Sequence, residues 1–259
     1  MINPPKIDSH AHVWDRSCTI VEGARYRPDY EATVGTYLRI LDTNGIEQGV
    51  LVQPSFLGTD NRYLLDCLKA HPDRLRGIVM LKPDVQTDQI AELVAQGVIG
   101  VRYNLLSLAP SQLAGPEYRA LTKEIADAGL WIEVQAHGVD WPDVLETLGD
   151  VPLMVDHFGK PSGPDCVGLR AILQRNPAKS CVKLSAPYRQ VPEQMAPFAC
   201  SLLDHFGAER CLWGSDWPWT QHEAQHDYSD SMRWLEGWTN EAERKQMRSA
   251  APDLLGFNR

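Results

Sequence analysis

The feature that most limits the fold of this 259-residue chain is an alternation of short apolar segments with longer stretches of helical periodicity. Eight segments of strand length stand out: Ile7–Val13, Gly49–Gln53, Gly77–Leu81, Gly100–Asn104, Trp131–Ala136, Leu153–Asp156, Cys181–Ser185 and Cys211–Gly214. Between them, Tyr30–Asn44 sets Val34, Tyr37, Leu38 and Leu41 along one helical face and stops at Gly45, a good C-cap residue. Glu117–Ala128 does the same with Leu121 and Ile125 before Gly129, and helices are also expected over Glu193–Phe206 and around Asn240–Ala250. Strand then helix, repeated eight times, predicts an α/β chain of the (β/α)8 TIM-barrel class, with residues 1–259 as a single domain. A doubly wound open sheet is the competing topology, but no G-x-G-x-x-G follows any strand. The longest early loop, Asp15 to Asp29, is placed where it can cover the mouth of such a barrel or simply run over its surface.

Composition removes several function classes. The net charge is −9 with no Lys/Arg cluster, which argues against a nucleic-acid partner. No apolar run approaches the roughly 20 residues that span a bilayer, so no membrane partner is expected. Met1 is not followed by a charged head and apolar stretch, which makes a cytoplasmic location the default expectation. Six cysteines without a C-x-x-C pair suit buried thiols rather than a zinc ribbon or a disulfide framework. Oligomeric state is not legible in the sequence.

Chemistry concentrates at strand ends. In Ile-Asp-Ser-His-Ala-His-Val-Trp, His10 and His12 are two apart and share one face of the first strand. Asp156 and His157 end the sixth strand, and Asp216 lies just past the eighth. Alone, each has a plain structural explanation: an H-x-H pair occurs often, and an aspartate after a strand commonly caps a helix. Together they put three imidazoles and a carboxylate at the C-terminal mouth, where barrel active sites form. Such a set suits either divalent-metal binding or acid/base activation of water.

That arrangement resembles the amidohydrolase superfamily. Val-Gln-Pro-Ser-Phe-Leu-Gly-Thr-Asp-Asn (52–61), Gly-Val-Arg-Tyr-Asn (100–104), Val-Asp-His-Phe-Gly-Lys-Pro (155–161) and Trp-Gly-Ser-Asp-Trp-Pro (213–218) are similar to the 2-pyrone-4,6-dicarboxylate lactonase group. The resemblance runs from Ile7 to about Phe257 and implies a hydrolase opening the ester bond of a small carboxylated lactone. It implies Asp216 as general base on water, with His10, His12 and His157 polarising the lactone carbonyl. It further implies Arg102 and Arg189 as substrate-anion groups and Ser55 as a polar contact. No metal is required in that group; an adventitious divalent ion such as zinc would fall to His10, His12, His157 and Asp216.

The chain departs from metal-dependent relatives at two strands. Strand four has no lysine, and Gln135 on strand five stands where near relatives carry Tyr or His; a neutral amide is a poor zinc ligand. His137, two residues on, is the alternative ligand. Leu108 replaces a second strand-four arginine of the pyrone-dicarboxylate enzymes, which predicts a preference for substrates with a single carboxylate. Trp219 follows Asp-Trp-Pro where relatives often have histidine, with His222 close by, and is placed either to stack on a ring substrate or to pack its loop. Lys183 on strand seven can reach an anion or sit ion-paired, Lys160 is placed at the rim, and His71, His205 and His226 are read as surface residues. The competing functions are a zinc-dependent decarboxylase of the same superfamily and a non-catalytic binding barrel.

Overall fold

A computed structural model of the chain describes residues 6–258 apart from 107 and 164. Its centre is an eight-stranded parallel sheet in the order β1 to β8. The strands are β1 Ile7–Ala11, β2 Gln48–Val52, β3 Leu75–Val79, β4 Val98–Asn104, β5 Trp131–Gln135, β6 Leu153–Val155, β7 Ser180–Leu184 and β8 Cys211–Trp213. Each coincides with an expected segment, with edges displaced by one or two residues. The first and last strands meet just past β8: Asp216 N donates to His10 O at 2.9 Å and His12 N to Trp217 O at 2.8 Å.

Helices α1 Val34–Thr43, α2 Arg62–Ala70, α3 Thr87–Ala95, α4 Pro116–Asp127, α5 Trp141–Leu148, α6 Val167–Ile172 and α7 Ala196–Phe206 link the strands. Two more, α8 Tyr228–Trp238 and α9 Glu241–Leu254, follow β8. The first helix starts later than its periodicity suggested, because Trp14 bridges Ala32 in extended form and Thr33 then caps Thr36 N. Likewise α7 begins at Ala196 rather than Glu193, since 192–194 is a separate 3-10 turn and Pro197 suits only a first helical turn.

Side chains alternate across each strand. Outward residues such as Leu51, Val101, Ile132, Val155, Val182 and Leu184 join the helices in one large core. Inward ones are graded along the barrel axis. At the lower end Val50, Val52, Ile78, Met154, Cys181 and Leu212 form an apolar plug closed by Ala251 and Leu255. Above it lie buried charges on the same inward face, including Arg102, Glu133 and Lys183, and above those the histidines. The apolar end stabilises the barrel; the charged end can be placed only because partners meet there.

Candidate active site

β1 and β8 are pressed together closely enough to dictate residue types. A Cβ on Gly214 would lie 2.8 Å from the Cβ of His10, so glycine is what lets the two strands approach. Asp8 fastens them: its carboxylate accepts from Ser215 N (2.8 Å), Ser215 Oγ (2.6 Å) and Tyr228 OH (2.9 Å). His10 and His12 therefore point into the barrel with their Nε2 atoms 3.3 Å apart. The Nδ1 of His12 lies 2.7 Å from the carbonyl of Val52. A carbonyl only accepts, so Nδ1 carries the proton and the neutral ring presents a lone pair at Nε2. His157 has Nδ1 at 2.8 Å from Ser185 Oγ, which can donate and leave Nε2–H free to donate in turn. Burial, only partly opposed by Asp156, lowers both His10 and His157 to about 3.

Asp216 is fully buried, with its backbone in the left-handed region at φ 56°. His157, Phe158, Lys160, Ala186, Trp219 and Gln221 share that rare conformation. Non-glycine residues held there are strained and concentrate where geometry is functional. Oδ2 of Asp216 accepts from Tyr188 OH and from Arg189 Nε at 3.0 Å. Oδ1 lies 3.5 Å from His10 Nε2 and 3.4 Å from His12 Nε2, and has no hydrogen-bond partner. Burial pushes this carboxyl up, but Arg189 and the histidines outweigh it and hold it well below the usual carboxylate range. It is an anion with one free oxygen.

Beneath the histidines lies a ring of paired charges. Lys183 Nζ donates to Glu133 and sits 3.3 Å from His10 Nδ1. Arg102 faces Glu133 at 3.3 Å through Nε and donates through Nη2 to Asp156 (2.9 Å) and Gln135 Oε1 (3.0 Å), and through Nη1 to Gln53 O (3.3 Å). Lys183 is thus the ion-paired structural lysine of the two readings. Arg102 reaches the cavity wall, but most of its N–H groups already serve protein acceptors, so little of the fork is left for a bidentate substrate clamp.

Over this floor opens a cavity of about 350 Å3 lined by His12, His157, Ser55, Gln135, Arg102 and Arg189 among others. Arg25 and Tyr26 from the 15–29 loop form part of its wall, so this loop does border the mouth. Tyr26 and Tyr30 both donate to Glu223 Oε1, at 2.5 and 2.6 Å, clasping that loop to the one after β8. Trp219 departs from the stacking expectation. It is buried in the core and donates Nε1 to Ser215 O at 3.1 Å, whereas His222 and Thr220 line the cavity. The left-handed turn at Trp219 sends its ring inward. His226 is half-buried, its ring packing 5.0 Å from Tyr188 and 5.1 Å from Trp234. Asp8, Glu133, Tyr188 and Tyr26 are site residues that motif reading missed. The inward placement of Glu133 among Ile132 and Val134 was the available clue.

The Amidohydro_2 model, an amidohydrolase family, matches residues 7–257. The chain belongs to the amidohydrolase family. It is 26% identical over 234 residues to a 2-pyrone-4,6-dicarboxylate hydrolase of Comamonas testosteroni, covering 82% of this chain and 76% of that protein. It is 29% identical over 245 residues to a 4-sulfomuconolactone hydrolase of Rhizobium radiobacter, covering 82% and 75%. A Pseudomonas putida structure, provisionally described as a 2-pyrone-4,6-dicarboxylic acid hydrolase, superposes with a TM-score of 0.90 at 38% identity over 100% of both chains.

In this amidohydrolase the donor set fits a divalent ion. Ligands on a tetrahedral zinc at 2.0–2.2 Å stand roughly 3.3–3.6 Å apart; the distances among His10 Nε2, His12 Nε2 and Asp216 Oδ1 are 3.3, 3.4 and 3.5 Å. His10, His157 and Asp216 are also grouped closely enough to share an ion. The second nitrogen of His10 is less one-sided. Asp156 Oδ1 at 3.1 Å would accept from Nδ1–H, as behind a metal-bound imidazole, whereas Lys183 donates to an Nδ1 lone pair. His137 borders the cavity but belongs to neither potential ligand cluster among the described residues.

Proposed function

We propose that this protein is an enzyme that hydrolyses the ester bond of a small carboxylated lactone, with Asp216 as general base and no metal required. The observation that carries the reading is the ionised Asp216, whose unpaired Oδ1 faces His10 and His12 beneath a cavity lined by cations. The names of the Comamonas and Rhizobium relatives point to the same reaction class.

The tautomers divide the labour. A water between Asp216 Oδ1 and His12 Nε2 gives one hydrogen to each acceptor, which aims its lone pair at the lactone carbonyl above. His157 Nε2–H donates to the carbonyl oxygen and stabilises its developing charge. His12 is therefore assigned to the water rather than to the carbonyl, a refinement of the role its resemblance implied. His10, with Lys183 at its Nδ1, stands beside that water with Nε2 3.5 Å from Asp216 Oδ1. As water attacks, Asp216 takes its proton; when the ring C–O bond breaks, that proton passes to the leaving oxygen. Arg189 and the remaining Arg102 N–H bind a substrate acid group, with Ser55 and Gln135 as polar contacts. A divalent ion held by His10, His12, His157 and Asp216 would supply Lewis-acid polarisation of the carbonyl when bound.

The test is a panel of neutral, mono- and di-carboxylated lactones followed by proton release, run beside aromatic acids followed by CO2 release. Hydrolysis of anionic lactones is expected. CO2 from the aromatic acids without lactone turnover would instead place the protein with the decarboxylases.

A further inference from the structure

Every cation in the barrel interior is paired, yet one at the mouth is not. Lys160 lies three residues past His157 with its backbone in the left-handed region (φ 48°), part-buried on the cavity wall. Its ammonium makes no hydrogen bond or ion pair with any described residue. The charges nearest to it are Arg189 and Arg25, which repel it, and Asp156 and Asp216, which attract it. Asp156 is paired with Arg102, and Asp216 with Arg189 and Tyr188, and neither carboxylate is hydrogen-bonded to Lys160. Burial and Arg189 together lower the lysine below its usual range, so the folded protein holds this charge against opposition. Among the described residues no carboxylate lines the cavity to relieve it.

The wall on the β2 and β4 sides differs. Phe56 and Leu106 line it there, and Leu108 packs against the core. Of the cations that also line the cavity, Arg102 on β4 has most of its N–H groups committed to Asp156, Gln135 and Gln53, whereas the ammonium on the β6 side has no such commitment. We propose that Lys160 is a second anion-binding group of the cavity, so that the protein selects ring substrates carrying two negative charges over those carrying one. This rests on the lactonase reading for the reaction, and it reverses the single-carboxylate preference suggested by Leu108 alone. The geometry uses a lysine as a point charge, which accepts a carboxylate or a sulfonate without demanding a planar partner.

Binding is measured with rings that cannot be hydrolysed and have no nitrogen to chelate a metal: isophthalate and benzoate, titrated by calorimetry. In the wild type isophthalate is expected to bind at least about 10-fold more tightly than benzoate, the scale of one hydrogen-bonded charge contact. In Lys160→Met that ratio is expected to collapse toward one, and in Lys160→Arg to return; thermal unfolding confirms that each variant is folded. An unchanged ratio in Lys160→Met, equal affinity of both anions for the wild type, or no saturable isophthalate binding each overturns the proposal. The readout is independent of turnover. A collapsed ratio in a protein that hydrolyses no lactone leaves the subsite standing and sinks the lactonase reading; lactone turnover with an unchanged ratio does the reverse.

Discussion

The floor of the cavity and its mouth both hold cations, but they treat them oppositely. At the floor Arg102 and Lys183 are buried and matched by Glu133 and Asp156, with His10 between them. At the mouth Lys160 is part-buried and unmatched, and Arg189 is held only at its Nε and one terminal nitrogen. A cation whose donors are all taken can bind a ligand only by breaking a pair, so it fixes positions. A cation with donors to spare contributes little to the fold and leaves those donors open to a ligand. In the proposed reaction this difference separates residues that orient the histidines from residues that read the ring.

The floor should break most severely. Lys183→Met leaves Glu133 buried without its partner and should destabilise the protein by about 3–5 kcal/mol in denaturant unfolding. The double variant Lys183→Met/Glu133→Leu should recover part of that loss, because an apolar pair of similar volume replaces the ions. Lys160→Met should change stability by no more than about 0.5 kcal/mol. Equal effects at the two sites would dissolve the distinction.

The floor should also register pH. Unfolded, the imidazoles of His10 and His157 bind protons below about 6.5, whereas folded they do so only near 3. Above 6.5 neither state is protonated; as pH falls toward 3 only the unfolded state gains protons, so their contribution to stability is lost, by up to about 1.4 kcal/mol per pH unit for each ring. Buried Asp8, raised by burial, works in the opposite direction. The histidine contribution is therefore read from a difference: between pH 6.5 and 4.5 the unfolding midpoint of His157→Gln should fall less than that of the wild type.

Much of this contrast was legible in the chain, and the rest was not, for physical reasons. Alternation pointed to the strands; His157 and Asp216 stood out because they follow apolar runs, and His10 and His12 because their spacing puts both on one face of the first strand. Pairing across the barrel was not visible. Nothing local says that Glu133 on β5 meets Lys183 on β7, since that contact depends on register and closure. Trp219 was ambiguous because the direction of its ring depends on a left-handed backbone turn that non-glycine residues rarely adopt.

At the mouth smaller effects are expected. Tyr26→Phe removes one of the two hydroxyls on Glu223, leaving Tyr30, and should raise KM less than 10-fold, under about 1.5 kcal/mol. A change in stability as large as that of the Lys183 variant would mean that the clasp belongs to the fold. Exhaustive chelation should leave turnover unchanged. Loss restored stoichiometrically by Zn2+ or Mn2+ would move His10, His12, His157 and Asp216 from water activation to metal binding.

In the proposed reaction Asp216 takes the proton from the attacking water. Asp216→Asn keeps the shape and the hydrogen-bonding reach of the side chain but cannot accept that proton. The measurement is kcat for a carboxylated lactone hydrolysed by the wild type, compared with the folded variant. A fall on the order of 10²–10⁴ is expected, with the unfolding transition retained. Turnover close to that of the wild type would contradict it.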